Sequence, residues 1–175
     1  MRGVAAALAC SVAIACVSTA GDFIWATWIE RHETVYGVAH GALLFCAIGF
    51  VLGLIAGRPL PGAVGGVAIG AAAATVYYLL APIAGFAAMF VVWAGTWVAL
   101  AFLYAWLSRR GPAGAVWARG LIAAVASGLA FYLISGIWRP FNPVGWDYAV
   151  HFAAWTAAFF PGFAALFLAR PSVMN

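Results

Sequence analysis

The chain carries only four carboxylates and three histidines, and their positions are uneven. Asp22, Glu30, His32, Glu33 and His40 fall within "GDFIWATWIERHETVYGVAH" (21–40), while Asp147 and His151 stand four apart in the last fifth of the sequence. Glu33 and His40 are seven apart, which is two turns along one helical face; Asp147 and His151 are one turn apart. If those two helices were neighbours, Glu33, His40, Asp147 and His151 would converge. Such a set can run acid–base chemistry or hold a metal ion. The spacing does not specify a metal, since there is no HExxH and no Glu-x-x-His on two helices. Neither metal nor cofactor is expected. Each residue also has a plainer role. Asp147 suits a helix N-terminus, where the dipole favours an anion, and His151 can pair with it. Glu30, Arg31, His32 and Glu33 suit a solvated loop at headgroup depth, and Asp22 suits the end of the first helix. His40 lies deepest, beside Gly41, and an ionisable group inside a membrane is a functional candidate by default.

The elements that must position these residues follow from composition. Hydrophobic residues make up 67% and charged residues 7%, with mean hydropathy +1.08. A soluble domain averages about 25% charged, so this chain cannot coat itself for water. The pattern predicts an all-α, polytopic integral membrane protein with a single domain over 1–175. Six spans are expected at about 3–21, 34–57, 62–80, 83–107, 115–138 and 148–169, each near the ~20 residues that cross the hydrocarbon core. Pro59 and Pro61 separate the second span from the third, and Ala81-Pro82 makes a tight hairpin before the fourth. "SRRGPAG" (108–114) and "RPFNPVGWD" (139–147) read as loops. The alternating segments of an outer-membrane barrel are absent. Met1-Arg2, an apolar run and "VSTAG" also have the form of a cleavable signal peptide ending at Ala20; with five spans following, a retained first span is the reading taken.

Every one of the eight basic residues is an arginine. With the N-terminus inside, Arg2, Arg58, Arg109, Arg110, Arg119 and Arg170 lie toward the cytoplasm and only Arg31 and Arg139 beyond. This bias predicts both termini in the cytoplasm of a multi-pass protein, in the inner membrane if the source is bacterial. The arginines form no stripe, which argues against nucleic acid as a partner. Cys10, Cys16 and Cys46 sit in apolar runs and lack zinc or redox spacing. The same topology gathers every acid and histidine toward the non-cytoplasmic face. Trp25, Trp28, Trp138 and Trp146 would form an aromatic belt around them.

Two glycine stripes, Gly37, Gly41, Gly49, Gly53 and Gly57 and then Gly62, Gly66, Gly70 and Ala74, allow helix backbones to approach closely. Helices two and three within one chain are the favoured pair; a homo-oligomer or a larger membrane-protein partner stays open. Phe159-Phe160-Pro161-Gly162 is expected to interrupt and kink the sixth helix, opening a crevice toward lipid that Trp93, Trp97, Tyr77 and Tyr78 would help to wall. Thr75, Thr96, Ser127 and Ser135 are isolated and can each bond a carbonyl of their own helix, which argues against a transport pathway.

The layout resembles that of the Insig family of six-helix membrane proteins. "RGVAAALACSVAIACVSTAG" is similar to an Insig first helix, "GFVLGLIAGRP" to the end of the second. "AFLYAWLSRRG" followed by "SGIWRPFNPVGWDY" and a terminal "FLAR" is similar to the order of basic turn, fifth helix and loop before the sixth. The family's Trp-Trp-x-Pro-Pro element has "TVYGVAHGALLF" in its place, its polar third helix has "VGGVAIGAAAATVYY", and only Asp147 has a counterpart in the loop before the last helix. The resemblance implies a non-enzymatic, regulatory protein holding a diacylglycerol- or sterol-like lipid in the bundle. On that expectation His40 and His151 would bond the head of the ligand, with Gly37, Gly41, Trp155 and Phe159 lining the crevice. The alternative is a membrane-embedded enzyme using Glu33, His40, Asp147 and His151.

Overall fold

The computed structural model describes residues 2–29, 34–85, 87–109, 112–134 and 144–168. These form six α-helices, each long and apolar enough to cross a membrane. They are α1 (Arg2–Thr27), α2 (Thr34–Ile55), α3 (Pro59–Ala84), α4 (Ala87–Ser108), α5 (Ala113–Ile134) and α6 (Asp147–Phe167). No strand occurs among the described residues. Glu30, Arg31, His32, Glu33, Arg110, Ser135, Trp138, Arg139 and Arg170 lie outside them.

The helix count agrees with the expectation, and the prolines account for the shifted boundaries. Pro59 and Pro61 do not separate spans but sit in the first turn of α3. The missing N–H of a proline costs nothing there, because first-turn amides have no helical partner. Pro82 lies within α3, and the chain turns only at Gly85, whose φ of 54° suits glycine and whose N–H donates to the Ala81 carbonyl. The hairpin therefore falls at Gly85 and not at Ala81-Pro82. In the same way α6 runs through Pro161 and Gly162 without interruption. α1 continues past residue 21 to Thr27, which carries Asp22 inside a helix and not at its end.

Consecutive helices pack as antiparallel neighbours, and α1 closes the ring by lying along α6. α2 and α3 come closest. A Cβ on Gly49 would stand 2.1 Å from the Gly62 carbonyl oxygen, and one on Gly66 1.9 Å from that of Phe45. Gly41, Gly49, Gly53, Gly62, Gly66 and Gly70 thus serve one contact within the chain, made at backbone distance; Gly57, expected in the same stripe, lies beyond α2 with φ 72° and nothing near its Cβ position. The other half is built on aromatic volume. Trp155, Phe159, Phe163 and Phe167 recur every four residues along α6 and pack with Trp93, Trp97, Tyr104 and Phe131. Gly162 leaves room for the Trp97 indole, which a Cβ would meet at 2.1 Å. The crevice expected at Pro161 is therefore filled: Trp97 is 2% exposed and Phe159 1%.

Ser11, Thr75 and Thr96 bond carbonyls of their own helices. Ser127 does not; its hydroxyl crosses from α5 to the Ala158 carbonyl on α6. Large apolar residues on the outside, such as Leu43, Leu60, Ile83 and Leu133, are mostly uncovered, as hydrocarbon surroundings permit.

Substituting Gly49 by Leu is expected to destabilise the detergent-solubilised protein by about 1–3 kcal/mol or more, because backbone cannot move aside as a side chain can. Gly95, exposed on α4 with nothing near its Cβ position, is the control: Gly95→Ala should be neutral or raise stability by up to about 1 kcal/mol. Thermal unfolding of the two variants checks both.

Candidate functional site

The polar site is organised by α1. Its buried residues Ala7, Cys10, Ser11, Ile14, Ala15 and Ser18 follow three- and four-residue steps, so they form one face. Asp22 continues that face one turn beyond Ser18 and points at α6. There a single carboxylate oxygen, Oδ2, accepts two hydrogen bonds: from the Trp155 indole N–H at 2.8 Å and from His151 Nδ1 at 2.9 Å. A carboxylate only accepts, so Nδ1 carries the hydrogen. The two donors stand one turn apart on α6. Trp155 is held from behind by Phe159, stacked at 5.7 Å, and by Phe131 at 5.5 Å.

His40 reaches α1 from the other side. Its ring occupies the space left by Gly21, where a Cβ would come within 2.4 Å of Cε1, and it meets Trp25 edge-on at 6.0 Å. α2 and α6 themselves do not pack together. The two histidines are thus related through α1, not through the direct helix contact that their spacing suggested.

The remaining expected site residues are distributed differently. Glu33 lies outside the described residues. Asp147 accepts the Val144 N–H at 3.0 Å, closing the turn that starts α6, and His151 pairs with Asp22 in its place. Gly37 and Gly41 face α3: a Cβ on the first would collide with the Tyr78 hydroxyl, and one on the second would press on Ala74 and the Gly70 carbonyl at 3.0 Å. They are packing glycines. Phe159 is enclosed by Trp93, Trp97 and Trp155 and faces no opening. Trp155 does join the site, as a donor. Sequence reasoning missed Asp22 as the hub, although Ser11, Ser18 and Asp22 in helical register on an otherwise apolar segment carried the signal.

Several polar atoms of this region are buried with no hydrogen-bond partner among the described residues: His151 Nε2, Ser18 Oγ, Thr19 Oγ1 and, on α4, Trp93 Nε1. Among the described residues no three His, Cys, Asp or Glu side chains gather closely enough to hold a metal. A recess near the opposite end of the bundle, lined by Ala101, Tyr104, Ala105, Ser108, Val116, Arg119 and Leu166, has room for about one water molecule. A scan against protein-family models and searches of curated proteins and of solved structures find no match, so the site is read from its own geometry.

Replacing Asp22 by Ala strands two donors at once. The expected loss is about 2–4 kcal/mol, since hydrogen bonds to a charged group contribute about 1.5–3 kcal/mol each and are not fully additive. Trp155→Phe keeps the stack and removes one donor, so it should cost roughly half as much, by the same measure of unfolding in detergent.

Proposed function

We propose that this chain is a multi-pass membrane protein, both termini cytoplasmic, that holds a lipid-like ligand at the end of the bundle where Asp22, His40, His151 and Trp155 lie, and performs no chemistry on it. The observation that carries this reading is the state of His151. Its Nδ1 is anchored by a carboxylate while its Nε2 is buried and has no partner among the described residues. An unpaired buried polar atom costs about 1–3 kcal/mol, a deficit that a ligand head group offsets on binding.

Two further features favour a ligand from the bilayer. α1 lies against α6 along much of its length but meets α2 far less, so the α1–α2 seam is the loosest between consecutive helices. His40 stands in that seam, packed on Gly21 and Trp25. A lipid moving between α1 and α2 would meet His40 first and need not pass through water. Phe23 and Tyr148, which pack edge-on at 5.5 Å, offer aromatic surface to its chain at the same end. Phe159, Gly37 and Gly41 drop out of the lining, since other helices already cover them.

A second reading has one specific observation in its favour. A carboxylate bonded to Nδ1 is the arrangement that orients an imidazole as a general base. On that reading the protein is a membrane-embedded hydrolase acting on a lipid ester, with His151 and Asp22 as the pair.

Protein purified in mild detergent should carry lipid near one equivalent, identified by mass spectrometry of an organic extract. His151→Ala and His40→Ala should each lower it severalfold. Folded protein that arrives lipid-free and takes up none from added membrane extract would refute the proposal. Turnover of lipid esters by the same preparation, lost in His151→Ala, would favour the hydrolase. The orientation is tested separately, by cysteines placed at exposed Trp28 and Pro112 in a chain lacking its native thiols. A membrane-impermeant maleimide added to intact cells should label the first and spare the second; the reverse pattern would invert the topology.

A further inference from the structure

Resting on the ligand site just described, we infer that His151 accepts a hydrogen bond from the ligand and does not donate one, so that the ligand must bring a hydroxyl or N–H group: a lipid alcohol fits, and its ether or fully esterified counterpart does not. The argument begins with what Asp22 can do. A carboxylate, when ionised, has lone pairs and no hydrogen, and Oδ2 already takes the Trp155 N–H. The indole nitrogen is a donor only, and its ring is clamped between Phe131 and Phe159, so the position of Oδ2 is fixed from the α6 side. The short contact from Oδ2 to His151 Nδ1 then requires the hydrogen to sit on Nδ1. In a neutral imidazole that leaves Nε2 with a lone pair and no hydrogen.

Turning the ring over would exchange Nδ1 for a carbon and lose the bond to Asp22. The carboxylate therefore sets both the orientation of the ring and its tautomer. Asp22, at 23% side-chain exposure, accepts both N–H donors on one oxygen. His151 is only 12% exposed, and among the described residues Nε2 has no acceptor for a second N–H. Of the other described charged side chains at this end, Asp147 is engaged with the Val144 N–H. The Tyr148 ring centre lies 6.4 Å from that of His151.

A buried acceptor that meets an ether oxygen or an ester carbonyl gains nothing and repels it. Loss of that one bond corresponds to about 5- to 150-fold in affinity. The discrimination rests on one nitrogen and disappears with it.

The test uses the full chain in detergent, stripped of co-purified lipid, with two probes of equal chain length: 1-hexadecanol and hexadecyl methyl ether. Native mass spectrometry should show the alcohol bound about 5- to 150-fold more tightly than the ether. His151→Phe should bind both alike. ¹⁵N-histidine spectra of the unsubstituted chain, assigned by difference from His151→Phe or, if that variant does not fold, from Asp22→Asn, should show a bare Nε2 and a protonated Nδ1. A protonated Nε2, or equal binding of alcohol and ether, overturns this inference while leaving a ligand site in place. Failure of both probes to bind overturns the ligand reading and the inference with it.

Discussion

One carboxylate oxygen holds the polar end of this bundle together. In hydrocarbon, helices gain little by hiding apolar side chains from one another, because the lipid is equally apolar. What holds them is close packing and the few hydrogen bonds that have no competitor in the solvent. Asp22 Oδ2 supplies two of these bonds between α1 and α6, and His40 packs on the same stretch of α1. Remove the oxygen and the tautomer of His151, the direction of the Trp155 indole and the reason for a buried imidazole are all lost together.

The two halves of the molecule solve the packing problem in opposite ways. α2 and α3 discard side chains: glycine faces glycine, and carbonyl oxygens approach to within reach of a missing Cβ. α4 and α6 instead fill space with rings, four of them at every fourth position on α6, and Gly162 leaves room where the Trp97 indole crosses that helix. A glycine contact tolerates no added atoms; a ring contact tolerates small rotations. The site lies where these two regimes meet, across α1, and α1 has its loosest seam on the glycine side.

Much of the fold was legible because hydropathy and helix length are local properties. Six apolar segments of about the right length, and the pairing of the two glycine stripes, could be read without knowing any contact. The prolines misled because their effect depends on position within a helix. At Pro59 the missing N–H falls in a first turn, and at Pro161 the surrounding aromatic packing keeps the helix continuous. The site was only half legible. Sequence spacing can say that Asp147 and His151 share a face, but not that a carboxylate 129 residues earlier competes for the imidazole and wins. Asp147 was outcompeted by geometry: at the first position of α6 its carboxylate lies beside the Val144 amide of the preceding turn. Gly37 and Gly41 were assigned to a ligand because they stand near His40 in sequence, yet Gly41 is turned from it by about 100° and Gly37 by about 60°, and both face α3.

The distribution of charge gives the bundle two chemically different ends. The Gly3–Leu168 contact and the stacking of Arg58 over Trp106 at 4.6 Å show which helix termini share the arginine end. All four carboxylates of the sequence belong to the opposite end or to the segments joined to it. Among the described residues no arginine at the first end is paired with a carboxylate, and Arg58 uses an aromatic face instead. At the second end the opposite holds. Asp22 has no arginine bonded to it among the described residues and draws on uncharged N–H donors. Among the described residues, a carboxylate satisfied by indole and imidazole leaves its site without a fixed cation. On the function proposed above, such a site would discriminate by hydrogen-bond direction and not by charge, the selectivity suited to an uncharged head group.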